Sequence, residues 1–137
     1  MTMSPVIAVH LTASIIALVT GPLVIFARLG SKKMPRIHRA FGYGWASMMI
    51  LSAISALFIR DYGLPNVFGY TPIHLLVPFT AYSLYKAFKA LLLKDIVNHK
   101  KTMVRLYWGA CVGAGIFTLL PNRYLGNIVW TSLGFIA

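Results

Sequence analysis

Apolar residues along the chain form four long stretches that are separated by short polar and turn-rich segments. The stretches cover residues 5–27, 38–59, 72–93 and 102–120. A helix needs roughly 20 apolar residues to cross the hydrocarbon core of a bilayer, so each stretch is long enough to span a membrane. The pattern predicts four transmembrane helices within a single integral membrane domain, residues 1–137.

The breaks between these stretches contain the residues that begin and end helices. Pro35 and Pro65 stand in the first two breaks, Pro72 begins the third stretch, and Pro121 follows the fourth stretch directly. Proline is tolerated in the first turn of a helix but interrupts its interior. We therefore predict an all-α fold, a four-helix transmembrane bundle with up-down topology. The apolar tail, residues 124–137, is too short to cross and is expected at the interface or against the bundle.

Composition supports a membrane protein. Hydrophobic residues make up 58% of the 137 residues, and charged residues only 11%. A soluble domain of this size could not bury so much apolar surface, whereas a bilayer solvates it. The first stretch lacks a basic leader and is longer than the core of a signal peptide, so we expect it to be retained.

The cations lie on one side of the predicted membrane. All lysines and arginines except Arg60 and Arg123 fall in or beside the first and third connections. The positive-inside rule places these connections in the cytoplasm and both termini outside, in a bacterial inner (plasma) membrane. The net charge of +11 is thus a basic collar that faces anionic lipid headgroups. This position at the membrane surface argues against a nucleic-acid patch.

The scarcity of acids and thiols excludes several mechanisms. Asp61 and Asp95 are the only carboxylates, and both lie near predicted membrane boundaries. Ion-coupled pumps place acids in mid-membrane, and a Ser-His-Asp triad needs an acid beside a buried histidine. Cys111 is the single cysteine, so neither a disulfide framework nor a cysteine-based metal motif is expected.

The four histidines are distributed one to each predicted span. His10 and His74 belong to the outer half of the membrane, whereas His38 and His99 lie at its inner face. In an up-down bundle the first and third helices are diagonal partners, as are the second and fourth. The histidines therefore form two pairs across the bundle, His10/His74 and His38/His99. A low-spin haem b takes two axial imidazoles from opposite sides of its ring, and diagonal helices can provide them.

This arrangement predicts up to two b-type haems with the four histidines as iron ligands, which would carry electrons from one face to the other. Arg36, Arg39 and Arg105 are candidates for binding the haem propionates at the inner face. Small residues that follow the histidines at helical spacing would leave room for a macrocycle; they are Ala13, Ala17, Gly21, Gly42, Ala110 and Gly113.

The same residues are also compatible with simpler roles and with different ligands. Small residues at four-residue spacing allow close helix packing in lipid, and histidines at helix ends cap carbonyls. His99 and Met103 lie four residues apart on one helical face and would suit copper. A quinone pocket beside Trp45, Tyr82 or Trp108 is a further alternative to the aromatic belts that such rings usually form.

A set of residues spread over nearly the whole chain points to a family: His10-Leu11, Gly21-Pro22, His38-Arg39, Gly42, Ser52, Ser55, Pro72-Ile73-His74, His99, Met103, Arg105, Pro121 and Arg123. In these residues the chain resembles a bacterial family of predicted four-span membrane proteins with no assigned function. Thr102 departs from the pattern, which often has an aromatic residue there. Membership implies a four-helix membrane protein and little about activity. The diagonal histidines are also similar in architecture to transmembrane di-haem cytochromes b that oxidise ascorbate, quinol or superoxide.

The leading hypothesis is a membrane-embedded b-type haem electron-transfer protein, an oxidoreductase if it exchanges electrons with quinone. The alternative is a cofactor-free or copper-binding accessory or assembly protein without catalytic activity, in which the histidines cap helices. The expected partners are the lipid bilayer and a quinone or redox protein, and a homo-oligomer is compatible with both hypotheses.

Overall fold

The computed structural model describes residues 3–28 and 34–136, and their regular structure is helical. A 3₁₀ turn, Pro72–Leu75, leads into the third helix, and a π-helical segment, Tyr107–Val112, joins the fourth helix to the fifth. Residues 96–118 therefore form one continuous helical stretch, which we call the fourth rod. The helices are α1 Pro5–Phe26, α2 Pro35–Ala56, α3 Leu76–Leu92, α4 Ile96–Leu106, α5 Gly113–Thr118 and α6 Tyr124–Ser132.

Four of these units close into a ring. α1 packs along α2, α2 packs on α3, α3 packs on α4, and the π-helical segment returns to α1. This order places α1 opposite α3 and α2 opposite the fourth rod. The all-α bundle is thus confirmed, whereas the crossing of a membrane by all four units stays a prediction. Of the described helices, α1 alone is long and apolar enough to span a membrane, with a mean hydropathy of 2.0.

Small side chains bring α1 and α2 together. Ala13, Ala17 and Gly21 recur every fourth residue and are buried. A row of small residues lets two helix backbones approach closely. The hydroxyls of Ser14 and Ser52 then lie 2.8 Å apart and join the two helices by a hydrogen bond. The row predicted to make room for a macrocycle is therefore used, along α1, for helix packing.

The bounds of α2 and of the fourth rod differ from those of the predicted spans. α2 begins at Pro35, three residues before the predicted start, and it ends at Ala56 instead of residue 59. The fourth rod begins at Ile96 instead of residue 102, because the Asp95 side chain accepts a hydrogen bond from the backbone N–H of Asn98 at 3.1 Å. Lysines 32 and 33 of the basic collar lie outside the described residues.

The tail forms a short helix, α6, that packs against α5. Gly126 is buried at this contact, and a side chain there would overlap the backbone of Leu120. Trp130 in α6 also donates its indole N–H to the carbonyl of Leu119 at 2.7 Å. These contacts hold the tail against the end of the fourth rod.

Candidate functional site

His10 lies on α1 and bonds to α2. Its Nδ1 is 2.9 Å from the carbonyl oxygen of Ser52 and 3.1 Å from the hydroxyl of Ser55. A carbonyl only accepts, so Nδ1 carries the proton and donates it. This bond fixes the tautomer of His10 and leaves Nε2 unprotonated.

His74 is held differently, at the start of the third helical unit. Its Nδ1 accepts the backbone N–H of Thr71 at 3.1 Å, as in a capping box. Its Nε2 is therefore the protonated nitrogen, and it donates to the carbonyl of Ile59 at 3.0 Å. Its ring also makes an edge-to-face contact with Tyr70, with 5.0 Å between centroids. Both nitrogens of His74 are thus bound to the backbone.

The two histidines at the other end of the bundle share the arrangement of His10. His38 on α2 donates from Nδ1 to the carbonyl of Val24 on α1, at 2.9 Å. His99 on α4 donates from Nδ1 to the carbonyl of Ala87 on α3, also at 2.9 Å. Phe88 packs on the ring of His99 in an edge-to-face contact. Val24 lies in the last turn of α1, where carbonyls lack an intrahelical donor, so His38 also caps that helix.

The two histidines of each predicted pair lie on opposite units of the ring. His10 is on α1, and His74 is in the 3₁₀ turn that leads into α3. His38 and His99 sit on α2 and α4, which lie across the ring from each other. Each of the four rings is half-buried. Every histidine also joins two different parts of the chain through a backbone carbonyl.

Two aromatic side chains fill the centre of the bundle between these pairs. Trp45 donates its indole N–H to the carbonyl of Ala17 at 3.0 Å, and Tyr107 donates its hydroxyl to the carbonyl of Leu18 at 3.0 Å. Both rings are buried in the core. Trp45 is among the residues predicted beside a quinone, but Tyr107 is not among the predicted site residues. Gly21-Pro22 in the middle of α1 is the sequence feature that could have indicated such a partner, because proline leaves the carbonyl of Leu18 without its usual N–H donor.

The other candidate residues are dispersed. Arg36 and Arg39 line one open cavity of about 530 Å³ together with Tyr43. Arg105 is exposed in the last turn of α4. Met103 packs against the hydrophobic core. Among the described residues, no three of the His, Cys, Asp and Glu side chains are grouped as a metal ion would require.

The aromatic candidates for a quinone pocket are also separated by burial. Trp45 is buried, whereas Tyr82 and Trp108 are exposed to 63% and 59%. Exposed rings on a bundle in a bilayer are typical of lipid contact. Trp45 borders an apolar groove that lies between α1 and α2.

The haem fit differs between the two pairs. His38 and His99 have the hydrogen-bond arrangement of axial ligands, because Nδ1 donates to a carbonyl and Nε2 is the nitrogen that a metal would use. His10 has the same hydrogen-bond arrangement as the inner histidines. His74 does not, because its Nε2 donates to the carbonyl of Ile59. Ligation by His74 would require the exchange of that bond. In hydrogen bonding alone, the two inner histidines are compatible with iron ligation, whereas His74 as arranged is not.

Fold and composition together define a helical-bundle membrane protein. The sequence profile of the family described as "Predicted membrane protein (DUF2306)" matches residues 7–130, and the chain belongs to this family. A member of it contacts the lipid bilayer. No curated protein matches the chain, and no solved structure matches it. The likeness to di-haem cytochromes b therefore stays an architectural analogy.

Proposed function

We propose that the chain is an electron-transfer protein of the bacterial inner membrane that binds b-type haem through its histidines. One observation carries this proposal: His10, His38 and His99 each donate Nδ1–H to a backbone carbonyl of a neighbouring helix. Histidines that bind metals almost always donate their second ring N–H in this manner, which orients the ring and raises its basicity.

The inner pair is the stronger part of the proposal. His38 and His99 come from opposite units of the ring, as the two axial ligands of one macrocycle require. Arg36 and Arg39 flank His38 on the first turns of α2 and provide cations for propionates. A haem bound there would supply one-electron transfer, with quinone as the proposed partner. The residues of this chain would hold the imidazoles in one tautomer and one orientation.

The experiment compares haem content with folding in matched variants. Oxidised and dithionite-reduced absorption spectra of the detergent-purified protein are recorded beside a metal analysis. Asparagine can place an amide N–H near the position of Nδ1 but offers no ligand for iron. His38→Asn and His99→Asn are therefore expected to keep the helix contact and to lose the inner haem.

The control is His74→Gln, which keeps a donor near the position of Nε2 and leaves the inner pair intact. It is expected to leave the inner haem in place. A colourless wild-type protein after expression with added haem precursor would overturn the proposal. Copper at one equivalent per chain, lost in both His99→Asn and Met103→Leu, would support the copper-binding alternative.

A cofactor-free accessory protein is the second candidate, and His74 favours it. Both ring nitrogens of His74 are bound to the backbone, which is the arrangement of a structural histidine. In this function the four histidines fasten the helices, and the basic collar contacts lipid or a partner. It predicts a colourless, metal-free protein in which histidine-to-leucine variants lower the melting temperature and the asparagine variants do so less.

A further inference from the structure

We propose that the outer surface of α2 binds one anionic phospholipid. The headgroup phosphate lies between Arg36 and Arg39, and one acyl chain follows an adjoining apolar groove towards Met48. This inference does not depend on the haem proposal, and the phosphate would take the two arginines in place of the haem propionates, which would then need other cations.

The headgroup end is a basic cavity at the start of α2. The cavity measures about 530 Å³ and is lined by Pro35, Arg36, Arg39, Ala40 and Tyr43. Within residues 3–28 and 34–136, neither guanidinium forms an ion pair. Planar guanidinium groups bind phosphate oxygens in bidentate geometry, so two of them on adjacent turns suit one phosphodiester.

The wall of this cavity is held in place by the neighbouring helix. The ring of Tyr43 stacks on Phe88 of α3 with 6.3 Å between centroids. Phe88 in turn contacts the ring of His99. The tyrosine side of the cavity is therefore fixed by the bundle, and only the arginine side chains must be ordered when a phosphate binds.

The acyl-chain end is an apolar groove between α1 and α2. It measures about 340 Å³ and includes Ile16 of α1 with Ala40, Gly44 and Met48 of α2. A side chain added at Gly44 would meet nothing within 4 Å, so the groove is open at that point. Small residues at positions 40 and 44 leave a shallow path along the helix for a flexible hydrocarbon chain.

The two cavities adjoin, because Ala40 lines both. From Ala40 to Met48 the helix rises about 12 Å, which is less than the roughly 15 Å of one bilayer leaflet. A charged end next to an apolar end of this length matches a phospholipid. A quinone has the tail but no anionic group, so it would not use the arginines.

Native mass spectrometry of the full chain in detergent tests the proposal, with dioleoylphosphatidylglycerol as the probe and dioleoylphosphatidylcholine as its zwitterionic match. We expect one tightly held phosphatidylglycerol per chain. Two cations near a membrane surface contribute to the free energy of binding an anionic lipid. The double variant Arg36→Gln/Arg39→Gln should therefore weaken phosphatidylglycerol binding about thirtyfold. Lys100→Gln/Lys101→Gln removes the same charge from exposed positions on α4 and should change it less than about threefold.

Groove filling gives a second, charge-independent measurement. Gly44→Leu should fold normally, since its side chain enters open space, and should weaken phosphatidylglycerol binding about tenfold by displacing the acyl chain. Gly115→Leu, also without neighbours within 4 Å of its added Cβ, is the matched control. Equal weakening by the lysine pair would mean a general attraction of the basic collar and would overturn the site. Displacement of the lipid by an equal concentration of inorganic phosphate, or full binding to the Gly44→Leu variant, would also overturn it.

Discussion

The hydroxyl of Tyr107 donates a 3.0 Å hydrogen bond to the backbone carbonyl of Leu18. Pro22 stands four residues after Leu18 in the same helix and has no N–H, so this carbonyl cannot receive its usual intrahelical bond. A side chain from the fourth rod therefore replaces the donor that proline removes. Trp45 bonds to the adjacent carbonyl of Ala17, so the proline site of α1 is where three units of the bundle meet.

Tyr107→Phe should destabilise the protein by about 0.5–1.5 kcal/mol, because it leaves the carbonyl of Leu18 without a donor and changes little else. The measurement is thermal unfolding of the purified protein in detergent. Tyr82→Phe is the matched control, since Tyr82 is 63% exposed. Equal melting temperatures for the two variants would contradict the role of the hydroxyl.

Gly21→Ala should also destabilise the bundle, by about 1–3 kcal/mol, because an added methyl group would overlap the ring of Tyr107. Either the ring of Tyr107 or the backbone of α1 must shift to relieve the overlap. Gly44→Ala is the control in the neighbouring helix, where an added Cβ meets nothing within 4 Å. It should stabilise α2 by up to about 1 kcal/mol through helix propensity. A neutral Gly21→Ala would show that the ring is not confined.

Hydrophobic pattern and proline positions are sufficient to predict the bundle, because apolar length and chain punctuation are local properties. The helix that contains the fourth predicted span begins at Ile96, six residues before that span. The lysines after Ile96 are typical of a connection, but their long side chains point outward from a helix that Asp95 caps. The π-helical segment is not predictable in this way, since one extra residue in a turn does not change the hydropathy pattern.

The positions of the histidines along the bundle are predictable from the sequence, but their hydrogen bonds are not. Alternating spans place His38 and His99 at one end whatever their rings contact. Which ring nitrogen carries the proton depends on backbone carbonyls contributed by other helices, such as those of Val24 and Ala87. Such partners are set by helix rotation and depth. A single sequence does not determine the rotation or the depth of a helix accurately enough to identify hydrogen-bond partners, which must lie within a narrow range of distances.

His10→Leu should destabilise the protein by about 0.5–1.5 kcal/mol, because it removes the link from α1 to Ser52 and Ser55 on α2. His10→Asn can restore a donor near the position of Nδ1 and should recover part of that loss. Both variants are compared with wild type by thermal unfolding after the haem and metal content of each sample is known. If leucine and asparagine are equally harmful, the bond to α2 does not contribute to stability.

The pH dependence of the α4 cap follows from Asp95. Hydrogen bonds from the side chain and then the backbone of Asn98 hold the pKa of the Asp95 carboxyl below its ordinary value. Because this pKa is lower in the folded than in the unfolded chain, the stabilisation is complete above the unfolded pKa of about 3.9. It is lost as the pH falls through the folded value.

Asp95→Ala should therefore lower the melting temperature at neutral pH, and the difference from wild type should shrink below about pH 4. Asp95→Asn keeps an N-cap side chain without the titrating group, so its melting temperature should not show this particular pH dependence. Melting curves of the three proteins from neutral pH to about pH 3 make the comparison. A wild-type advantage over alanine that stays constant through this range would contradict the ionised cap.

Asp61 and Arg123 form an ion pair that should hold the tail in place. The pair joins the connection before α3 to the start of α6, and Phe117 lies under the guanidinium at 4.4 Å. Both side chains are largely shielded, with 29% and 21% of their surfaces exposed, so the coupling should reach about 1 kcal/mol, the upper end for surface pairs.

A double-mutant cycle of Asp61→Asn and Arg123→Gln measures this coupling by thermal unfolding at low and at high salt. If the pair holds the tail in place, each single variant and the double variant should lose similar stability. Proteolysis within α6 should then become faster in all three variants. Additive losses would mean that the residues act separately. Arg123 would then hold the tail mainly through its contact with Phe117, which high salt would not weaken.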